Sequence, residues 1–155
     1  FSYKIIFSCL ILFLVCIFVG CYVIYGVDYN NKLDNGVNLL LEKYDKTDIK
    51  LYVGYAQGGY TEFRGIKSYI DPRAEVFLKE NNKMADIFQE YYDLEDGKID
   101  ISKFLDKYNF THLLITEREY LYDKINDVGG YSLFYNGKID DEEMYKIYVR
   151  NDIEF

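Results

Sequence analysis

The stretch His112-Leu113-Leu114-Ile115-Thr116 decides the fold. Five residues without a charge, bounded by Asn109 and by Glu117-Arg118-Glu119, are the right length for a strand and too short for a core helix. An apolar run without alternation predicts a strand covered on both faces, hence a central strand, of the kind found in parallel sheets. Thr116-Glu117-Arg118-Glu119 has the spacing of a capping box, and the helix it opens would turn Leu121, Tyr122 and Ile125 inward. Gly129-Gly130 ends that helix. Tyr131–Tyr135 and Tyr145–Val149 then read as two antiparallel strands, joined across Asn136-Gly137 and the acidic turn Asp140–Glu143.

Upstream of the central strand, Phe104, Leu105 and Tyr108 mark a short helix. Met84, Ile87, Phe88 and Tyr91 fall at i, i+3, i+4, i+7, which predicts a helix of about four turns over Val76–Tyr92. Asp93–Asp100 breaks it with a polar stretch containing Gly97. Ile49–Tyr55 and Ile66–Ile70 read as strands, separated by Gly58-Gly59. Val37, Leu40, Leu41 and Tyr44 form the apolar face of a helix that Asp34 or Asn35 can cap. Strands alternating with helices give an α/β fold: a small, mainly parallel sheet flanked by helices, with an antiparallel C-terminal edge. Right-handed crossovers favour a three-layer or an open two-layer sandwich.

The first 27 residues are different in kind. Ile5–Val27 is 23 residues without a charge, and as a helix at ~1.5 Å per residue it would span ~35 Å, enough for a ~30 Å hydrocarbon core. Tyr22 and Tyr25 sit where aromatic rings favour the interface, Lys4 flanks one end and Asp28 the other, which orients the N-terminus inward. A cleaved signal peptide would be shorter and carry a small-residue cleavage site. Phe18-Val19-Gly20-Cys21 has the form of a lipoprotein box, but the apolar YVIYGV that follows does not suit a polar tether. Cys9, Cys16 and Cys21 then read as small apolar residues of the helix. The chain opens on Phe1 rather than Met, and we read residues 1–27 as the last span of a larger membrane protein.

Composition narrows the function of the rest. The 155 residues include 18 Tyr and 11 Phe, too much buriable surface for a disordered chain. Residues 28–155 carry 17 positive and 26 negative charges, an acidic balance that argues against nucleic acid as partner. With all three Cys in the first 21 residues and His112 the single histidine, neither a disulfide scaffold nor a His/Cys zinc site can be built. His112 reads as a structural residue at a strand start, and no Ser–His–Asp or Cys–His set can be proposed. Gly54, Gly58 and Gly59 lack the GxGxxG spacing, so we read the Gly-Gly pair as a turn needing positive φ rather than a nucleotide loop. Aligning Gly97 with the glycine of a calcium loop puts Tyr92, Leu94 and Lys103 at ligand positions. Gly137 likewise puts Ser132 and Phe134 there, and none of these serves. Asn109-Phe110-Thr111 is a glycosylation sequon, with meaning only in a eukaryotic secretory setting. No cofactor is expected.

Asp71-Pro72-Arg73, with Glu75, is the most informative polar cluster. It lies just beyond the carboxyl end of the second strand, where open α/β sheets place ligands. Arg73 can clamp a phosphate or carboxylate with Asp71 orienting it. The two can equally pair with each other to hold the strand's end, and the residues alone leave both readings open.

Gly58-Gly59-Tyr60, then Gly65-Ile66-Lys67-Ser68-Tyr69-Ile70-Asp71-Pro72-Arg73-Ala74-Glu75, then Tyr108-Asn109-Phe110-Thr111-His112-Leu113-Leu114-Ile115 form an ordered series. Over about Asp34 to Arg150, with one span before it, this series resembles the C-terminal extracytoplasmic domain of bacterial membrane proteins of the GT-C glycosyltransferase type, relatives of the protein O-mannosyltransferases. Their tails often read Gly-Gly-Tyr, Ile-Asp-Gly-Arg-Ala-Asp and Tyr-Val-Leu-Leu. Here Pro72 stands where glycine is usual and Glu75 where aspartate is usual; Pro72 forbids positive φ.

The resemblance implies a parent using polyprenyl-phosphate sugars, whose catalytic acid lies upstream of this segment. The domain would lie outside the cell membrane and support or gate access of an acceptor glycan or lipid-linked sugar, without catalytic residues of its own. Its partners would be the bilayer and the parent's other spans. Asp71, Arg73, Glu75, Gly58, Gly59 and Tyr60 are the ligand-orienting or structural candidates. The alternative is a stand-alone envelope-binding module, anchored by its span or as a lipoprotein.

Overall fold

The computed structural model describes residues 3–24, 31–83, 85–139 and 143–153. In the first helix, α1 (Tyr3–Ile24), it describes the side chains of Tyr3, Phe7, Ser8 and Leu10–Ile17. The chain divides into two compact units, Phe1–Asn31 and Lys32–Phe155. The side chains of Lys4, Cys9, Cys21 and Tyr22, together with Tyr25, Asp28, Met84 and Asp140–Glu142, lie outside the described residues. Among the described residues no helix is long and apolar enough to cross a membrane; the longest continuous run of described side chains in α1 is Leu10–Ile17.

The second unit is built on a four-stranded sheet of β1 (Leu51–Val53), β2 (His112–Thr116), β3 (Tyr131–Lys138) and β4 (Met144–Arg150), in the order β1-β2-β4-β3. β2 is central and buried at all five positions, as its composition predicts. The pairing is mixed, which corrects the mainly parallel sheet. β1 runs parallel to β2, with Leu51 opposite His112, while β4 is antiparallel to both β2 and β3. A strand covered on both faces needs helices on both sides; it does not need parallel neighbours, and the returning arm of the C-terminal hairpin supplies the second one. Asn136-Gly137 does not form the hairpin turn. Both residues pair within the ladder, opposite Lys146 and Tyr145, beyond a bulge between Leu133 and Tyr135.

Alternation then sorts the core into two layers. Leu51, Val53, Leu114, Tyr145 and Ile147 pack on one face. They meet Leu33, Val37 and Leu40 of α2 (Asn31–Lys43) and Tyr60 of α3 (Tyr55–Phe63). Tyr52, Leu113, Ile115 and Tyr148 point the other way. There they pack on Leu94 of a helix at Ile87–Glu95, Phe104 and Leu105 of one at Ile101–Tyr108, and Leu121 and Ile125 of one at Leu121–Val128. The result is a helix–sheet–helix sandwich, one of the two expected arrangements. Gly129 and Gly130, both at positive φ, end the last helix as expected.

Three predicted elements are redrawn. The first strand stops at Val53 because the Gly54 carbonyl accepts from Gln57 and Gly58 N–H and opens α3; Gly58-Gly59 is therefore helical. Ile66–Ile70 makes only a bridge, Ser68 beside Leu51, with Tyr69 N–H donating to Leu51 O. The Ser68 N–H that would extend a ladder donates to Glu62 Oε1 instead.

The Val76–Tyr92 helix is three pieces: a 3-10 turn at Ala74–Phe77, α4 (Lys79–Asn82) and α5 (Ile87–Glu95). Asn81 and Asn82 donate to the carbonyls of Glu75 and Ala85, competing with helical bonds, and Lys83 is left-handed. Asp86 then caps α5, Asp100 caps α6 (Ile101–Tyr108), and α7 is Leu121–Val128. Asp34 is not a cap; it lies in the first turn of α2.

Candidate functional site

The parallel pair β1–β2 ends at Val53 and Thr116, and the polar groups gather beyond those ends. Asp71 is 2% exposed. Its Oδ1 accepts from Arg73 N–H and Nε, each at 2.9 Å, and its Oδ2 accepts from Arg73 Nη2. These hydrogen bonds hold the Asp71 carboxyl below the usual carboxylate range. The guanidinium is spent on its own neighbour, with 62% of its side chain in solvent. Of the two readings left open by the residues, the geometry is that of an internal pair closing a turn. Glu75 is exposed and its charge acts on Arg73 from a distance.

Gly58 has a steric role rather than a turn role. A Cβ there would lie 1.9 Å from the Ile70 carbonyl oxygen and 2.8 Å from Asp71 Cα. Only a hydrogen lets the Ile70–Asp71 backbone lie against α3. Neither Gly58 nor Gly59 has positive φ. At Gly59 a Cβ would meet Pro72 at 3.4 Å, ordinary contact. Tyr60 faces the other way: its hydroxyl donates to Asp34, and Arg64 donates to Asp34 and, at 2.7 Å, to Tyr60. Burial and the Asp34 bond push the Tyr60 phenol up to about 12. Tyr60 thus pins α3 to α2 and does not share a site with Asp71 and Arg73.

One strongly shifted carboxyl at this end is a residue the sequence reads as a cap. Glu119 Oε1 accepts from Thr116 N–H at 2.9 Å, half of the expected box, but α7 starts two residues later and the carboxyl is turned inward. It lies against Gly54, where a Cβ would come within 2.8 Å of it, and Oε2 is buried with no partner. Burial, reinforced by the charge of Glu95, pushes Glu119 up to about 8. Glu95 is itself raised by burial; it accepts from Tyr120 N–H at 3.0 Å and lies 3.5 Å from the Tyr52 hydroxyl. Tyr52 and Tyr91 are raised by burial and by both carboxyls. This cluster can keep a proton on Glu119 at neutral pH.

His112 is also withdrawn. Its Nδ1 is 2.8 Å from Thr111 Oγ1, its ring meets Tyr44 edge-on, and burial with the nearby Arg150 lowers it to about 4. Among the described residues no three His, Cys, Asp or Glu side chains converge as metal ligands.

At the opposite end of β1 the chain is open. A cavity of about 680 Å³ lies beside the edge strand, between the loop after α2, the Gly65–Tyr69 segment and the end of α6. Sequence reasoning missed both this cavity and Glu119. Only the Thr116-x-x-Glu119 spacing pointed at Glu119, and it points to a cap. The cavity's lysines lie 4 and 17 positions apart, a spacing without period.

Comparison with protein-family models, curated proteins and solved structures finds no match to this chain.

Proposed function

We propose that the chain is the membrane-anchored C-terminal portion of an integral membrane protein of the GT-C glycosyltransferase type. Residues 1–27 form its last span. The unit from Lys32 onward is an extracytoplasmic domain that supports or gates access of an acceptor or lipid-linked sugar, while catalysis belongs to the parent. The observation that carries the anchor is the apolar character of α1 all round. Leu10, Ile11, Leu12, Phe13, Leu14, Val15 and Ile17 are each about half exposed or more over two turns. A helix apolar on every face requires lipid or protein around it. The 23 uncharged residues from Ile5 to Val27 are long enough for lipid to be that cover. The ordered Gly-Gly-Tyr and Ile-Asp-Pro-Arg-Ala-Glu segments support the parent, and Gly58 and Asp71, one from each, pack directly together.

Two measurements test this. In membranes from producing cells, the chain stays in the pellet through an alkaline wash; release into the supernatant overturns the anchor. Asp127→Cys, in a background with Cys9, Cys16 and Cys21 replaced by Ala, reacts with an impermeant maleimide in intact cells; protection until lysis reverses the orientation. The coding region upstream of Phe1 should carry further spans and an acidic early loop. An initiator Met directly before Phe1 would leave the stand-alone anchored module instead.

A further inference from the structure

The domain is acidic, yet the cavity beside β1 is edged by three lysines, Lys46, Lys50 and Lys67. All three are exposed, and among the described residues no carboxylate lies within ion-pair distance of any of them. Asp45, next to Lys46, is occupied by Thr47, whose N–H and hydroxyl donate to its Oδ1. Behind the lysines the walls are aromatic: Tyr69, Tyr108 and Phe110, with ring centroids 4.8 to 5.5 Å apart.

The Tyr69 hydroxyl is buried behind this wall, beside the Tyr108 hydroxyl and the Glu90 carboxylate. Glu90 cannot neutralise the rim, since it accepts from both Lys107 and Tyr108. Exposed ammonium groups in front of an apolar, aromatic wall are what a pocket for an amphipathic anion presents. Lysine serves as a mobile point charge for phosphate, and about 680 Å³ is the size of a small organic ligand rather than of an ion.

We propose that this cavity binds a phosphate monoester with an aromatic or alkyl body. Lys46, Lys50 and Lys67 hold the phosphate, and the body rests on Tyr69, Tyr108 and Phe110. No bond is made or broken. The site belongs to this domain whatever protein carries it.

The test is a titration of the full isotopically labelled chain in an uncharged maltoside detergent, read by amide chemical shifts. Phenyl phosphate should give saturable shifts centred on Lys50, Lys67, Ser68 and Phe110, and should bind at least about five-fold tighter than inorganic phosphate or phenol alone. Lys50→Gln with Lys67→Gln should weaken it about ten-fold, while Lys103→Gln on α6 changes nothing. The same spectra report whether each variant is folded, and the single Lys67→Gln replaces the double variant if that one is not. Shifts that do not saturate, that lie elsewhere, or that weaken equally in Lys103→Gln overturn the proposal, as does equal affinity for inorganic phosphate.

Discussion

The two ends of β1 treat charge in opposite ways. At the carboxyl end, Glu119, Glu95 and Asp71 have been drawn into the protein, and each either has its pKa raised by burial or is tied to a neighbour. At the amino end, Lys46, Lys50 and Lys67 remain in water beside an open cavity, and among the described residues no carboxylate lies within ion-pair distance of them. Ligand sites in open α/β sheets are expected at the carboxyl end, and the polar residues at that end drew the sequence reading there too. Polar residue types do not make a binding site; solvated, unspent ones beside an accessible wall do. At the carboxyl end α3 follows β1 after one residue, and the Ile70–Asp71 backbone seals the gap against Gly58. At the amino end the loop after α2, the Gly65–Tyr69 segment and the end of α6 leave a space between them.

The comparison breaks most easily at the seal. Gly58→Ala places a methyl group against the Ile70 carbonyl with no flexible side chain to yield. The carboxyl end should open or the domain unfold, at a cost of about 3 kcal/mol or more by chemical denaturation. A loss below about 1 kcal/mol would mean the backbone contact is slack.

The next largest effect is on pH dependence. Glu119 binds its proton more tightly folded than unfolded, so the folded state takes up protons between the ordinary carboxyl value and about 8, and stability falls as pH rises through that window. The loss should amount to about 2–4 kcal/mol. His112, lowered to about 4, works the opposite way: its contribution is complete above its ordinary value and is lost as pH falls toward 4. Glu119→Gln keeps an acceptor for Thr116 N–H and removes the charge. The decline above pH 6.5 should vanish, leaving stability that rises from pH 4 to 6.5. An unchanged profile would show that Glu119 is ionised in the folded protein.

A smaller effect separates Asp71 from Arg73. Asp71→Ala frees the Arg73 N–H along with the guanidinium and should cost about 1–3 kcal/mol. Arg73→Ala leaves Asp71 its backbone donor and should lower the melting temperature less. The reverse order would restore Arg73 to a functional role. Smallest of all, Lys50→Gln and Lys67→Gln should shift stability by no more than about 0.5 kcal/mol in either direction, as exposed unpaired residues do. A larger loss would place the rim lysines among the groups that hold the fold.

Periodicity made the architecture legible where burial follows directly from side-chain type. His112–Thr116 was readable as central because five uncharged residues leave nothing for solvent, and α6, α7 and the antiparallel hairpin followed from apolar spacing and glycine stops. The broken Val76–Tyr92 helix was not readable, because its i, i+3, i+4 stripe is real while the Asn81 and Asn82 side chains tie the carbonyls of Glu75 and Ala85 and Lys83 turns left-handed. Gly58-Gly59 shows the same limit: glycine signals either a turn or a close approach, and only the position of Ile70 separates them. Asp71 and Arg73 were visible as a pair, but whether an arginine fork faces a ligand or its own neighbour depends on one turn's geometry.

By itself the amino-acid sequence determined the division into an uncharged leading segment and an acidic α/β unit, the central place of β2, and the helices on both its faces. Those follow from which side chains water rejects, a property each residue carries with it. Tertiary structure alone decided the mixed strand order, the inward turn of Glu119, and the meeting of Lys46, Lys50 and Lys67 around one cavity. These depend on where distant segments come to rest, and desolvation and charge pairing act only once the neighbours are in place.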